Sequence, residues 1–353
     1  MSRAYSVSRA YRLQSPQSIR SWWVRRASIP MSHPNLVIKP FRNSDPEFEL
    51  LYELENTLES HVRDWGSVEM LKYEANLIPE RCNAQCELLE IDGEVVGYGY
   101  TGHDAGAFDP TLLDSNIAIP NDARYTDYAQ TYLEHQISRA RQAEGITTLR
   151  AWISKDTDFM RTLYTNNGFE ISLVEYVSMI SLDDFDVGRF AKFVRRFEDS
   201  SLKIFTLKEL QQVDSGWEEK LFQLWHRIDL DVPSDVIEPD MDFEFWKASL
   251  FAPWFNAEDI YIVVDDHDWV ALSSYDRSDV PTDTFSTDLT GVLPQYRRQG
   301  ICTVLKLLAL DDLKRKGCKK IFTENEEDNP MFQINLMLGF KKIGSEVGCK
   351  LSL

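Results

Sequence analysis

The sequence predicts an α/β fold made of two tandem domains whose elements follow the same order. An internal repeat supports this prediction: each half contains a strand, a proline-containing turn, a helix, a strand, a short helix and a Gly-Phe pair. Pro120 and Pro294 open the two turns, and Gly168 and Gly339 precede the two phenylalanines. The 353-residue length suits two domains of ordinary size, and 43% hydrophobic residues can fill two cores.

Each half is predicted to begin with one strand followed by a hairpin. The first strands are expected at Asn35–Phe41 and Leu202–Leu207. Paired stretches of strand-forming residues on both sides of a short polar turn predict the hairpins. The hairpin strands are expected at Cys86–Ile91 and Glu94–Tyr100 in the first half, and at Ile260–Val264 and Trp269–Tyr275 in the second.

The second part of each repeat is predicted to be a helix, a strand and a shorter helix. In the first half the long helix runs from Tyr125 to Ala143, and the strand is Thr147–Ile153. In the second half a strand ending at Val292 leads to a helix with an apolar stripe, which a glycine at 317 ends. The following strand is expected at Cys318–Thr323.

A seven-residue run in the second half predicts a phosphate site. It reads Arg297-Arg298-Gln299-Gly300-Ile301-Cys302-Thr303, follows the strand and opens the helix. A glycine lets the backbone approach a ligand closely because it has no Cβ. A helix N-terminus adds unpaired N–H donors and the positive end of a dipole. Together these features predict a pocket for a pyrophosphate.

This part of the chain resembles the GNAT superfamily of acyl-CoA-dependent N-acyltransferases (GCN5-related N-acetyltransferases). The resemblance rests on Val292-x-Pro294-x-Tyr296-Arg297-Arg298-Gln299-Gly300-Ile301, then Asn329, then Leu338-Gly339-Phe340, and covers roughly residues 260–345. Cys302 departs from the Gly or Ala of the family pattern. The resemblance implies two domains that each have a mixed, mostly antiparallel twisted sheet flanked by helices. It also implies acetyl-CoA as co-substrate and no metal, and the tandem form is similar in architecture to mycothiol synthase.

The resemblance also implies which residues contact the acyl-CoA. In the family, the strand before the turn pairs with the pantetheine arm, the turn holds the pyrophosphate, and two parallel strands separate to admit the thioester. The residues at these positions are Leu289, Thr290, Gly291, Val292, Arg297, Arg298, Gln299, Gly300, Ile301, Cys302, Asn325 and Asn329. For Asn325 the alternative is a role in the turn at the strand end. For Asn329, followed by a proline, a role as helix N-cap is at least as well supported.

Acylation of an amine needs a base, a donor to the oxyanion and an acid for the thiolate. Asp288 and Glu324 are the candidate bases, and for each the alternative is an ordinary surface carboxylate. Alternation along the strand predicts that Asp288 and Thr290 share a face. The backbone of Leu289–Val292 is expected to donate to the thioester carbonyl, as the resemblance implies.

The acid of the family is usually a tyrosine four residues before the glycine of the Gly-Phe pair. In the second half that position is Asn335, whereas the first half has Tyr164. An asparagine can donate a hydrogen bond but cannot protonate a thiolate. Activity without the tyrosine is still expected, because thiols have pKa values near 8.5 and leave readily close to neutral pH.

The resemblance implies that the acceptor binds in the helical region after the first strand of the second domain. Asp229, Asp231 and Trp246 are the candidate contacts there, although the two aspartates could simply end a helix before Pro233. The predicted reaction is direct transfer of acetyl to an amine on a small molecule or peptide. The alternatives are an inactive CoA-binding or protein-interaction module, and acyl transfer to a hydroxyl or thiol.

The first half is predicted to be a degenerate copy that has lost acyl-CoA binding. When the prolines are aligned, Thr126 lies opposite Gly300, and Ala123 lies opposite Arg297. The pair Asn121-Asp122 enters the loop where phosphates would bind. A branched residue prevents close approach, and a carboxylate repels a pyrophosphate.

Composition limits the possible function classes. The formal net charge is −19, and the first 30 residues hold six arginines and no acidic residue, so the rest of the chain is more acidic still. This argues against nucleic-acid binding, which needs a basic surface, and favours a cationic amine substrate. A monomer or homodimer is expected.

Two further patterns indicate the compartment. No apolar run approaches 18 residues, so no membrane span is expected. The five cysteines are few and odd in number, which indicates a reducing, cytoplasmic location. Cys82 and Cys86 lie four apart, but no second Cys or His pair completes a metal site.

Four segments are predicted. Residues 1–34 form an arginine-rich leader, disordered or absent from the mature chain, and either a targeting peptide or a consequence of an upstream start codon with Met31 as initiator. The degenerate domain spans 35–182, a linker spans 183–200, and the domain with the acyl-CoA site spans 201–353.

Overall fold

A computed structural model describes residues 35–58, 66–154, 158–233, 242–278 and 283–353. The predicted leader, 1–34, lies outside the described residues. Within them no helix is long and apolar enough to cross a membrane.

Strands and helices alternate along the chain. The strands are β1 (Leu36–Pro40), β2 (Gln85–Ile91), β3 (Glu94–Gly102), β4 (Leu112–Ala118), β5 (Thr148–Ser154), β6 (Glu170–Ser181), β7 (Lys203–Thr206), β8 (Ile260–Asp265), β9 (Asp268–Arg277), β10 (Thr284–Val292), β11 (Lys320–Glu326) and β12 (Lys341–Ser352). The helices are α1 (Asp45–Leu58), α2 (Val68–Leu77), α3 (Thr126–Gln142), α4 (Asp158–Asn166), α5 (Ala191–Glu198), α6 (Leu207–Val213), α7 (Trp217–Asp229), α8 (Phe243–Leu250), α9 (Ile301–Arg315) and α10 (Pro330–Leu338).

Glycine and asparagine mark the predicted boundaries. Gly317 and Gly339 have φ of 91° and 105° and follow α9 and α10, where a left-handed residue ends a helix. Asn329 caps α10, because its Oδ1 accepts from the backbone N–H of Met331 at 2.9 Å. The strands, helices and hairpins of the repeat are present, so the α/β prediction is confirmed.

The described residues form two compact units that do not follow the order of the chain. The N-terminal unit holds the described residues up to 174, together with 242–249 and 344–353. The C-terminal unit holds the described residues of 175–238 and 250–343. Each unit therefore contains residues from both halves of the sequence.

The sheet of the N-terminal unit has the strand order β1-β2-β3-β4-β5-β12. All neighbours are antiparallel except β4 and β5, which are parallel. Helices α3 and α4 cover one face through a core that includes Leu133 and Leu163. Helices α1 and α2 cover the other face, where Leu51 and Leu71 pack with residues of β2 and β3. Burial of these apolar side chains stabilises the layers.

The sheet of the C-terminal unit has the strand order β6-β11-β10-β9-β8-β7. Only β10 and β11 are parallel. Helix α9 is buried on most of its surface and packs on the sheet with α10, through a core that includes Leu305 and Phe340. Helix α7 lies against β9 and β10. A mixed, mostly antiparallel sheet flanked by helices therefore forms in each unit, as predicted.

The last strand of each half pairs within the unit formed mainly by the other half. Residues Glu175–Ser181 of β6 pair with β11, and residues Glu346–Ser352 of β12 pair with β5. The sequence division at 182 and 201 differs from this grouping. Alternation identifies a strand, but it does not specify which neighbour the strand pairs with. The predicted linker, 183–200, includes helix α5.

Candidate functional site

The central strands of the C-terminal unit separate from one another. Strands β10 and β11 pair in parallel at only three positions, Thr284–Ser286 against Lys320–Phe322. Both strands continue, β10 to Val292 and β11 to Glu326, and the ladder between them stops. Backbone groups along such a gap need another partner. An extended ligand with amide groups has the donors and acceptors to enter this gap.

A β-bulge in β10 begins at the same level. Thr287 pairs with Tyr275 and Thr290 pairs with Ser273, so two residues of β10 oppose one residue of β9. Thr290 therefore shares the face of Thr287, and its hydroxyl contacts the Ser273 hydroxyl at 2.7 Å. The prediction that Asp288 and Thr290 share a face is wrong, because the extra residue breaks the period of two.

The turn after β10 has the geometry of an anion site. Arg298 has φ of 60° and Gly300 has φ of 81°, both left-handed, and α9 begins at Ile301. Gly300 is the N-cap and has no side chain to accept from the first N–H groups of the helix. Arg298 and Gln299 are exposed beside these donors. A phosphate bound here would accept hydrogen bonds from these N–H groups and would lie at the positive end of the helix dipole.

Arg297 braces the turn. Its Nε donates to the backbone oxygen of Val292 at 3.0 Å, and its guanidinium forms an ion pair with Asp231. Arg297 was predicted to contact acyl-CoA and Asp231 to contact the acceptor, and the structure brings these two residues together. The sequence could not show this pairing, because 66 residues separate them.

Two buried asparagines meet on the side of the gap that faces α10. Asn325 is 2% exposed and Asn335 is 0% exposed, and Asn335 Nδ2 donates to Asn325 Oδ1 at 2.6 Å. Asn335 Oδ1 and Asn325 Nδ2 have no hydrogen-bond partner within the described parts of the chain. A buried donor or acceptor without a hydrogen bond lowers the free energy of unfolding by about 1–3 kcal/mol. One acceptor and one donor at this spacing fit an amide group, which the pantetheine arm of acetyl-CoA carries.

The two candidate bases differ in burial. Glu324 lies on the separated part of β11 and is 3% exposed, whereas Asp288 lies in the bulge and is half-buried. Glu324 faces away from Asn325 because neighbouring residues of a strand alternate. It therefore lies on the sheet face opposite α10. Helix α7 packs on that face. Its residue Ile228 lies so close to Gly291 of β10 that a Cβ added to this glycine would come within 2.2 Å of the Ile228 side chain.

The predicted acceptor residues fall in different units. Asp229 is buried at the end of α7, and Asp231 follows it at the surface, both in the C-terminal unit. Trp246 lies on α8, which is grouped with the N-terminal unit, and its ring stacks on Phe243 with centroids 5.8 Å apart. Asn329 is the N-cap of α10, so its side-chain Oδ1 already accepts a hydrogen bond from the backbone N–H of Met331.

The corresponding turn of the N-terminal unit has no left-handed residue. Helix α3 begins at Thr126, six residues after Pro120, whereas α9 begins seven residues after Pro294. The Asp122 carboxylate accepts from the backbone N–H of Arg124 at 2.9 Å and pairs with its guanidinium. These contacts hold the pKa of Asp122 below its usual range. A carboxylate thus lies at the short turn, Ala123–Tyr125, that leads into this helix.

The gap between β4 and β5 of the N-terminal unit is closed by its own side chains. The parallel ladder stops at Asp114 and Arg150, and beyond it Asn116 Oδ1 accepts from the backbone N–H of Trp152 at 3.0 Å. Arg150 is buried and donates to Asp114 at 2.5 and 2.9 Å. Gln136, also buried, donates to the backbone oxygen of Tyr100. The side chains of Asn116, Arg150 and Gln136 thus have partners within this unit.

The structure adds two observations on other side chains. Tyr164, at the position of the tyrosine acid in the first half, is 0% exposed and packs edge-on against Phe169. Burial raises its pKa well above the ordinary value. Among the described residues no group of three or more His, Cys, Asp or Glu side chains could hold a metal ion.

Comparison with known proteins agrees with this geometry. Residues 221–336 match the sequence profile of the acetyltransferase (GNAT) family. No curated protein matches the chain in sequence. The chain is similar in structure to a tandem GNAT protein from the clavulanic acid biosynthesis pathway, with a TM-score of 0.66, 16% identity, and coverage of 90% of this chain and 98% of the other.

Two further solved structures have the same fold. A GCN5-related N-acetyltransferase from Sphaerobacter thermophilus has a TM-score of 0.63 and 12% identity, with 90% of this chain and 95% of the other covered. A GNAT-family acetyltransferase from Colwellia psychrerythraea has a TM-score of 0.54 and 12% identity, with 90% and 100% covered. The chain therefore has the fold of these GNAT structures.

Proposed function

We propose that this chain, whose C-terminal half carries a GNAT domain, transfers acetyl directly from acetyl-CoA to an amine of a small molecule or peptide. One observation carries the proposal. In the C-terminal unit a gap between parallel strands leads to an uncapped helix N-terminus at Gly300. The gap suits the pantetheine arm, and the helix N-terminus suits the pyrophosphate.

Acetyl-CoA is a substrate that three parts of the chain hold. The N–H groups at the start of α9 bind the pyrophosphate, with Arg298 beside them. Asn325 and Asn335 bind an amide of the arm through Nδ2 and Oδ1, which have no partner within the described residues. The backbone of Leu289–Val292, displaced by the bulge, donates to the thioester carbonyl. These donors stabilise the oxyanion that forms when the amine attacks.

The transfer is direct, without an acyl-enzyme. Cys302 is the cysteine nearest the turn, and burial raises the pKa of its thiol to about 11. A thiol with so high a pKa is protonated at neutral pH, and the thiolate is the nucleophilic form. The amine of the acceptor therefore attacks the thioester itself.

Acyl-CoA binding belongs to the C-terminal unit alone. In the N-terminal unit the Asp122 carboxylate lies at the turn that leads into α3, and Asn116 bridges the gap between the strands. A pyrophosphate would meet a carboxylate there, and a pantetheine arm would have to displace buried hydrogen bonds. The sequence prediction of a degenerate first copy stands as part of this proposal.

Calorimetric titration of acetyl-CoA into the full chain tests the proposal. We expect one site per chain, and CoA release when an amine library is added. Two sites would contradict the assignment of the N-terminal unit. One site without turnover on any amine would favour a CoA-binding module, and absence of binding would overturn the proposal.

The base is tested by Glu324→Gln and Asp288→Asn. We expect one of these changes to lower kcat about 100-fold, because general-base catalysis contributes about that much or more. Acetyl-CoA affinity should stay unchanged, since neither carboxylate is assigned to the cofactor. Asp266→Asn, in the β8–β9 turn with φ of 55°, is the control. Unchanged kcat in both variants would remove the two carboxylates from the mechanism.

A further inference from the structure

Lys306 is a lysine that lies wholly inside the C-terminal unit. It belongs to the second turn of α9, and its exposure is 0%. Its Nζ has no hydrogen-bond partner within the described residues, and it lies 5.8 Å from the centre of the Phe340 ring. A lysine is almost never fully buried unless its charge is paired. This position therefore needs an explanation that the packing does not provide.

The contacts of α9 with α10 place Lys306 and Asn335 at the interface between these two helices. The two helices touch in their first turns, where Cys302 Sγ lies 3.5 Å from Met331 Sδ. Lys306 follows Cys302 by four residues and Asn335 follows Met331 by four, so both lie one turn further along the same faces. Phe340 connects them, because its N–H donates to the backbone oxygen of Asn335 at 3.0 Å.

Three buried polar groups without partners in the described structure thus occur on one side of the β10–β11 gap. They are an ammonium donor on Lys306, an amide oxygen on Asn335 and an amide donor on Asn325. Asn325 belongs to the separated part of β11, so the group opens toward the gap. A buried cation without a carboxylate partner favours an anion supplied by a ligand.

The charge state of Lys306 suits a proton donor. Burial lowers its pKa to about 8. Cys302 keeps its proton, as does Tyr275, whose pKa burial also raises. Lys306 is therefore mostly protonated at neutral pH and releases its proton more readily than an ordinary lysine. A CoA thiol, with a pKa near 8.5, is closely matched to it.

We propose that Lys306 is the acid that protonates the CoA thiolate. It takes the role that a tyrosine would have at position 335, where this chain has Asn335. The acceptor nitrogen forms a bond to the acetyl carbon, the carbon–sulfur bond breaks, and its electron pair stays on sulfur. The Lys306 ammonium gives its proton to that sulfur and becomes neutral, while the proton of the attacking amine goes to the base. This inference rests on the proposed function.

The test follows the thiol of bound CoA, so it needs no acceptor. The ultraviolet absorbance of the thiolate is recorded against pH for CoA saturated with wild type, Lys306→Met and Lys320→Met, Lys320 being exposed. In wild type and in the Lys320 variant, we expect the bound thiol to titrate about one pH unit below the free thiol, a tenfold change in proton affinity. In Lys306→Met the thiol should titrate at or above the free value.

Binding measurements separate a thiolate site from a phosphate site. Acetyl-CoA and desulfo-CoA lack the thiol, so Lys306→Met should leave their affinity unchanged while weakening CoA at alkaline pH about tenfold. Equal loss for all three ligands would assign Lys306 to the phosphates and overturn the proposal. A wild-type thiol that titrates like free CoA would also overturn it, even if the variant did not fold. Absence of any CoA binding to wild type would instead contradict the proposed function.

Discussion

Replacing Gly300 with aspartate is expected to weaken acetyl-CoA binding about 1,000-fold, which corresponds to about 4 kcal/mol. Gly300 has φ of 81° and is the N-cap of α9. An aspartate would put a carboxylate at the N–H groups that the pyrophosphate needs, and two anions would compete for one helix end. A side chain at this φ also strains the backbone by about 1–3 kcal/mol. Calorimetric titration of the variant measures the loss.

Gly317→Asp is the matched control for that experiment. Gly317 has φ of 91° and lies just after the other end of α9, and an added Cβ meets nothing within 4 Å at either glycine. Both variants put a side chain in a left-handed conformation, and the helix dipole disfavours a carboxylate at Gly317, so Gly317→Asp should lose at least as much stability. Only Gly300→Asp should lose the ligand. Thr126→Asp, at the corresponding turn of the N-terminal unit, should leave the affinity unchanged. If Gly300→Asp bound acetyl-CoA with wild-type affinity, the pyrophosphate could not bind at this turn.

Local rules predicted the parts of the site that depend on local backbone geometry. The Asn329 cap and the helix ends at Gly317 and Gly339 each follow from the conformations that one residue type favours. The structure confirms these elements because their partners lie within a few residues along the chain. The roles assigned to the acyl-CoA and acceptor residues remain predictions.

Features that depend on distant partners could not be predicted. The bulge at Asp288 depends on how β10 pairs with β9, and a strand pattern carries no record of an inserted residue. The pairing of β6 with β11 could not be predicted either, because a strand pattern does not specify the neighbouring strand. Arg297 meets Asp231 only after α7 and the turn come together.

Lys306 was missed for a different reason. An apolar stripe is defined by its hydrophobic residues, so it does not single out the lysine between Leu305 and Leu307. The signal was present, because residues 304–310 are apolar apart from this lysine. A helix that is apolar on all sides is buried, and a charged residue inside it deserves a functional explanation.

Lys306→Met is expected to stabilise the protein by about 3 kcal/mol at neutral pH, and the gain should depend on pH. In the folded chain burial lowers the pKa of Lys306 from 10.5 to about 8. Below pH 8 the lysine is charged in both states, and the folded state bears the full desolvation cost. Each pKa unit is worth about 1.4 kcal/mol, which gives the expected size. Methionine of similar length fills the same volume without a charge.

The sign of the pH dependence distinguishes this cause from simple packing. The unfolded chain binds the Lys306 proton more tightly than the folded chain, so wild-type stability gains from this lysine as pH rises from about 8 toward 10.5. The advantage of Lys306→Met should therefore shrink over that range in urea unfolding, while Lys320→Met stays equal to wild type throughout. A constant advantage would indicate better packing alone, and a variant less stable than wild type at neutral pH would show that the ammonium is paired in the folded chain. A buried lysine that serves to protonate the leaving thiolate would lower the free energy of unfolding at neutral pH.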